Sequence, residues 1–228
     1  MNNITVTCVG TTSEINTDFF PPITPPEGKQ YSVGLLSFTT YNTIPNIQEG
    51  CNKFYYANSK VFQFETGTYE LEDINQTLQS ALGHDKISIT GNHSTLKTTL
   101  SCVHDVDFTP SDSIAPLLGF APRLLTHKKG QDHVSDNKVD IFSVSAINIE
   151  LDIAQSDYKN GQPTHYIHQY VPDVPAGYRL ISVPKNVIYY PIQTRDIEKF
   201  TIRLVDNREK LVNFRGEEIS VRLHFRAE

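Results

Sequence analysis

Tryptophan is absent from the 228 residues, so the flat indole on which a sugar ring would stack is missing. Cysteine occurs three times, at Cys8, Cys51 and Cys102. An odd, widely spaced set builds neither a disulfide framework nor a CxxC metal site, and fits reduced thiols in a protein made inside a cell. A basic surplus is lacking too: 20 Lys and Arg face 26 Asp and Glu, for a formal net charge of -6. Without a basic face to hold phosphates, sequence-specific nucleic-acid binding is not expected. The longest uncharged run, Gln30 to Gln48, is broken by Ser, Thr, Asn and Pro and makes no membrane span. The opening MNNITVTCVG has no basic stretch followed by an apolar one, so no secretory signal is expected. No GxSxG elbow, P-loop, GxGxxG or local Cys-His arrangement occurs, and no cofactor or metal motif accompanies the remaining residues.

What the chain does have is alternation. Ile4, Val6 and Cys8 share one face of a strand, as do Ile87 and Ile89, then Leu96, Thr98 and Leu100, then Phe200, Ile202 and Leu204. In the last segment Ile219, Val221, Leu223 and Phe225 alternate with Ser220, Arg222, His224 and Arg226. Period-2 patterns separated by turn residues, with no strand-helix-strand rhythm, read as half-buried antiparallel sheets. The expectation is an all-β chain, a β-sandwich, folded as a single domain over 1-228. Turns are expected at Asn92–Ser94, His127–His133, Lys159–Pro163 and Asp206–Glu209. A proline-rich stretch at about 18-28, FFPPITPPEG in its core, cannot donate to a central ladder and reads as an extended arm.

Two stretches break the rule. Between Val139 and Ile153, Phe142, Val144 and Ala146 hold even positions, whereas Ile147, Ile149, Leu151 and Ile153 hold odd ones. A bulge or a crossing between sheets is therefore expected near Ala146. In Tyr31–Phe38, Val33 and Leu35 fall on one face and Leu36 and Phe38 on the other. That strand asks for cover on both sides, which marks Val33 and Leu35 as candidate subunit-interface residues. Tyr189 and Tyr190 join them as amphipathic anchors of a type enriched where proteins meet.

The pattern of one segment is helical: Leu71, Ile74, Leu78, Ala81 and Leu82 make one stripe, with Thr68 placed as N-cap and Gly83 as the stop. A second short helix is expected within Ser111–Phe120, presenting Ile114, Leu117 and Leu118. The expected role of both is to lie in loops and cover an open end of the sandwich.

Two constellations could carry chemistry. His165 and His168 stand three apart, a ligand spacing on a helix, but THYIHQYV reads as a strand that sends them to opposite faces. Asp105 and Asp107 stand two apart, so on a strand both carboxylates share a face about 7 Å apart, a spacing that suits a metal or a glycosidase pair. Alternating acids are also what a solvated strand face carries, and no catalytic residue is assigned.

Several stretches resemble the minor capsid, or penton, proteins of Polinton/Maverick elements and the related adintoviruses. They are GTYELEDINQTL, NHSTLKTTLSCVHDVDF, DSIAPLLGFAPRLL, VPDVPAGYRLISVPKNVIYYPI (Val171 to Ile192) and VNFRGEEISVRLHFR. The likeness runs from about Val61 onward, and it lies in the ordered set, no single motif being diagnostic. The resemblance implies a single jelly roll, an eight-stranded double Greek key. It implies a structural, non-enzymatic role in the virion, with homopentamers at the capsid vertices and a double-jelly-roll major capsid protein as neighbour. The alternative reading of the residues is a β-sandwich binding module for carbohydrate or a receptor.

Overall fold

Strand alternation in the last segment settles one sheet. Ile219, Val221, Leu223 and Phe225 are buried, while Arg222 between them and Arg226 just after them are exposed. A computed structural model of the chain describes residues 3–128, 131–141, 144–155 and 157–228. In chain order, β1 (Asn3–Gly10), β2 (Glu14–Ile23) and β3 (Tyr31–Tyr41) come first. There follow β4 (Lys53–Tyr56), β5 (Lys60–Gln63), α1 (Leu71–Leu82), β6 (Ile87–Asn92), β7 (Lys97–Cys102), β8 (Val106–Asp107), α2 (Ala115–Leu118), β9 (Leu124–Leu125) and β10 (His133–Lys138). Next are β11 (Ile147–Leu151), β12 (Asp157–Lys159), β13 (Gln162–Thr164), β14 (Tyr166–Tyr170) and β15 (Arg179–Ser182). The chain ends with β16 (Tyr190–Pro191), β17 (Ile197–Val205) and β18 (Ile219–Ala227).

These elements gather into two compact units, one made of Met1–Ile44 with Val144–Glu228 and the other of Pro45–Ser143. In the first, one sheet runs β1-β18-β3-β15, with β16 pairing farther along β3, and the second runs β14-β11-β17-β2. All these pairings are antiparallel. Followed along the chain, the strands enter the first sheet, the second, the first, the second twice, the first, the second and the first. That order is a jelly roll of eight strand positions, with β15 and β16 sharing one as an interrupted edge strand. Val33, Phe38, Ile149, Leu180, Ile202, Leu204 and Phe225 fill its core from both sheets. The small β12–β13 hairpin turns through Asn160 and Gly161 at φ 52° and 81°, the pair of positive angles that a two-residue Asn-Gly turn requires.

The arm expected at about 18-28 is strand as far as Ile23. β2 is an edge strand, which tolerates prolines because one row of its backbone groups needs no partner. It pairs with β17 at Asp18–Lys199 and again at Ile23–Ile197, so Phe19–Pro22 bulge out opposite the single residue Glu198.

The second unit has its own core, in which Phe54, Phe64, Ile74, Leu78, Leu100, Phe108 and Leu118 meet. It carries the sheets β10-β7-β6 and β5-β4-β8-β9. Helix α1 buries Leu71, Ile74, Leu78 and Leu82, whereas Ala81 is exposed. Glu70 and Asp73 form a reciprocal capping box, so the cap lies two residues beyond the expected one, Thr68. Gly83 ends it as expected. Asn75 Oδ1 accepts from the Ile89 N–H and Gln79 Nε2 donates to the Ile87 carbonyl, which ties the helix to β6. The helix is therefore a core element of this unit. Helix α2 ends at Gly119, whose φ of 80° and whose distance of 2.4 Å from a would-be Cβ to the Asn137 carbonyl oxygen both demand glycine. Leu96, expected in a strand, sits at φ 57° in the β6–β7 turn and is exposed.

The parity change between Val139 and Ile153 coincides with the join between the units at Ser143–Val144. β11 starts afresh at Ile147, and Phe142 lies outside the described residues.

Candidate assembly surface

The strand that asked for cover on both sides resolves itself by a bulge. β18 pairs Arg222 with Ser37 and Leu223 with Leu35, leaving Leu36 as an extra residue in β3. One inserted residue reverses the parity, so Val33, Leu35 and Phe38 all face the same core. Val33 is 0% and Leu35 2% exposed within a single chain, which removes both from the candidate interface. Neither side chain has surface left to offer a neighbour.

The outer side of β3 is covered from within. A Cβ on Gly34 would stand 2.5 Å from Val187 Cγ1 and 2.7 Å from the Ile188 carbonyl oxygen, so the chain before β16 lies directly on the strand there. Tyr189 is held to the same face: its hydroxyl is 2.7 Å from His224 Nδ1, and the Arg226 guanidinium sits 4.0 Å from its ring centre. Arg226 is itself paired with Glu228. Tyr190, one residue on, faces inward, packs against the core and remains half-buried. Of the four expected interface residues, the two tyrosines thus keep accessible surface, on opposite sides of their segment.

At the flank formed by β14 and β15 the two sheets are tied across. His168 Nε2 and Ser182 Oγ are 2.9 Å apart, and Tyr170 packs edge-on against Phe38. Burial holds the His168 imidazole below its ordinary pKa, favouring the neutral ring. Burial, helped by a 2.7 Å hydrogen bond to Asp173, pushes the Tyr170 hydroxyl up to about 12. Beside this seam lies a cleft of about 350 Å³ lined by Tyr158, Tyr166, Ile167, Ile188 and Tyr190 together with polar groups. Lys159 stands 3.0 Å from Glu209 and 5.8 Å from the Tyr166 ring centre at its edge.

The same flank carries the apolar surface that sequence reasoning missed. Ile181, Val183 and Ile188 are 56%, 65% and 62% exposed, and Tyr178 is 64% exposed. The signal was present in RLISV: Leu180 and Ser182 face inward while Ile181 and Val183 face out. This, not β3, is the strand with apolar residues on both faces. On the other flank Phe20, at the tip of the β2 bulge, is fully exposed.

The constellations weighed for chemistry are tied up in local structure. His165 Nδ1 lies 2.7 Å from the Ala154 carbonyl oxygen. Asp107 Oδ1 accepts from the Thr109 N–H and hydroxyl, and Asp105 Oδ1 accepts from the His127 N–H at 2.5 Å. Both aspartates do line one shallow cleft with Tyr55 and Tyr56, each carboxylate already serving a loop. Among the described residues no group of three or more His, Cys, Asp or Glu could hold a metal ion, and no helix is long and apolar enough to cross a membrane.

No family model matches the sequence, and no curated protein does. Among solved structures the chain is similar to the crystal structure of selenomethionine-labelled mavirus penton protein, at 12% identity and a TM-score of 0.49, with 100% of this chain and 99% of that chain covered.

Proposed function

We propose that the chain is a structural virion protein, the penton or minor capsid subunit of an icosahedral capsid. In this reading residues 1-228 act as one capsid subunit, five copies close a ring at each vertex, and a double-jelly-roll major capsid protein surrounds them. The observation that carries the reading is the double Greek-key order of the two sheets, β1-β18-β3-β15 over β14-β11-β17-β2. A fold by itself does not fix a function. The second support is the ordered set of sequence stretches that resembles the penton proteins of Polinton/Maverick elements and adintoviruses. A contact role also suits surfaces whose notable features are exposed apolar and aromatic side chains.

Native mass spectrometry of the purified chain over a range of concentrations, with negative-stain images, tests it. A closed ring of five copies is the expected result. A stable dimer or trimer counts against the vertex role. A glycan array separates the alternative of a sugar-binding module, for which specific retention of one glycan class would be the signature.

A further inference from the structure

The two flanks of the jelly roll are unlike and complementary. One is built by β1 and β2, the edge strands of the two sheets, which run against each other. There the four residues Phe19–Pro22 leave the ladder, Phe19 turns in against Phe200 at 5.4 Å, and Phe20 turns out with its whole side chain in solvent. The two prolines that follow have their backbone φ angles fixed by their rings. The backbone beneath the ring therefore has less freedom to lose on docking than an ordinary loop. The opposite flank is built by β15 and β14, and it bears the ledge of Ile181, Val183 and Ile188. Ile188 also lines the cleft of about 350 Å³, which has ample room for a phenyl ring, since a cavity near 150 Å³ already admits benzene.

Charge follows the same division. Around the bulge stand exposed Asp18, Asp196 and Glu198 against Arg195 and Lys199. Around the ledge stand exposed Arg179 and Lys185 against Asp173. Among these residues the bulge carries one net negative charge and the ledge one net positive charge, which favours contact between unlike flanks over contact between like ones.

We infer that a second copy of this chain docks head to tail, the Phe20 knob of one copy seating on the Ile181–Val183–Ile188 ledge of the next. The inference rests on the capsid-subunit reading for its closure into a ring, but not for the contact itself. A knob and its seat on opposite flanks make a heterologous contact, which generates a ring or a filament and never a closed two-fold dimer.

The test uses two variants of the full chain, Phe20→Asp and the double variant Ile181→Asp with Val183→Asp. All three side chains are exposed, so circular dichroism and melting temperature should match the parent. Each variant alone should lose the assembly, with a dissociation constant raised more than tenfold, which is about 1.4 kcal/mol or more. Mixed one to one, they should form a dimer and nothing larger, because one intact knob-and-ledge contact remains and both outer ends are blocked. If the parent forms a ring of five that Phe20→Asp leaves intact, the contact lies elsewhere and the inference falls, while the capsid reading stands. If the parent forms another head-to-tail oligomer that Phe20→Asp abolishes, the inference stands and the vertex role falls. A parent that is monomeric at every concentration overturns the inference.

Discussion

The two units solve the burial problem differently, although their sequences look alike. The jelly roll relies on long strands, with β3 spanning 11 residues and β2 spanning 10, and period-2 alternation alone sends most of its apolar residues inward. Among the described residues of the unit Pro45–Ser143 the strands are six residues or fewer, and a 12-residue helix supplies four core side chains. Short strands leave more ends, and ends require caps, turns and glycines in particular places. Tolerance should therefore differ: the jelly roll should be robust to changes at its bends, and the helical unit sensitive to them.

The largest expected effect is Leu78→Asp. Leu78 is fully buried in the core of its own unit, where a truncation to alanine would cost roughly 2–5 kcal/mol. A carboxylate left there without a partner adds its own desolvation. Hydrogen exchange should show lost protection in β6, β7 and α1, with β3, β17 and β18 still protected. Loss of protection across every strand would mean that the two units unfold as one.

A pair of glycines sharpens the comparison. Gly119→Ala places a methyl group within 2.4 Å of one backbone carbonyl oxygen and 2.8 Å of another, at a positive φ. Left-handed strain alone costs roughly 1–2 kcal/mol, so a loss above about 2 kcal/mol is expected in denaturant melts. Gly34→Ala, in the jelly roll, meets a valine methyl at 2.5 Å and the Ile188 carbonyl oxygen at 2.7 Å, with no left-handed strain. The segment before β16 can lift away, so a smaller loss of about 1–3 kcal/mol is expected. Faster exchange should be confined to 187–191. An equal or greater loss at Gly34 would reverse the ranking of the two units.

The jelly roll was largely legible in the sequence because alternation reports burial directly. The inward faces of β1, β17 and β18 appear as read, and so does that of β6 in the other unit. What alternation cannot report is a bulge, since one extra residue looks like a second apolar face. That is why Val33 and Leu35 were placed at the surface when Leu36 had shifted the register behind them. Nor could it show where one unit gives way to the other, because Pro45–Ser143 is written in the same strand-and-turn vocabulary. The helix α1 was readable to its last turn, but its location was not. Of the assembly surface, the tyrosines at 189 and 190 were legible as residue types. Phe20 and the Ile181–Val183 ledge depend on which strands become edges, and that is set by pairing over long sequence separations.

The smallest effect concerns the seam at the β14–β15 flank, where the jelly roll depends on a titratable group. His168 shares a hydrogen bond with Ser182 across the two sheets, and burial depresses its pKa in the folded state. In the unfolded chain the imidazole returns to its ordinary value near 6.5. Between the two values the unfolded state binds more protons, so stability rises with pH there. The contribution is complete above about pH 6.5 and fades as the pH falls through that value. His168→Gln keeps a side chain that can reach Ser182 but cannot titrate. Urea midpoints measured from pH 5 to pH 7.5 should therefore fall more steeply toward acid in the parent than in His168→Gln, with the two curves parallel above pH 7. Because the ring is half-exposed, solvent screening keeps the difference modest. Parallel curves over the whole range would show that the seam holds equally well with a charged imidazole, and that this flank tolerates acid as well as the rest of the sandwich.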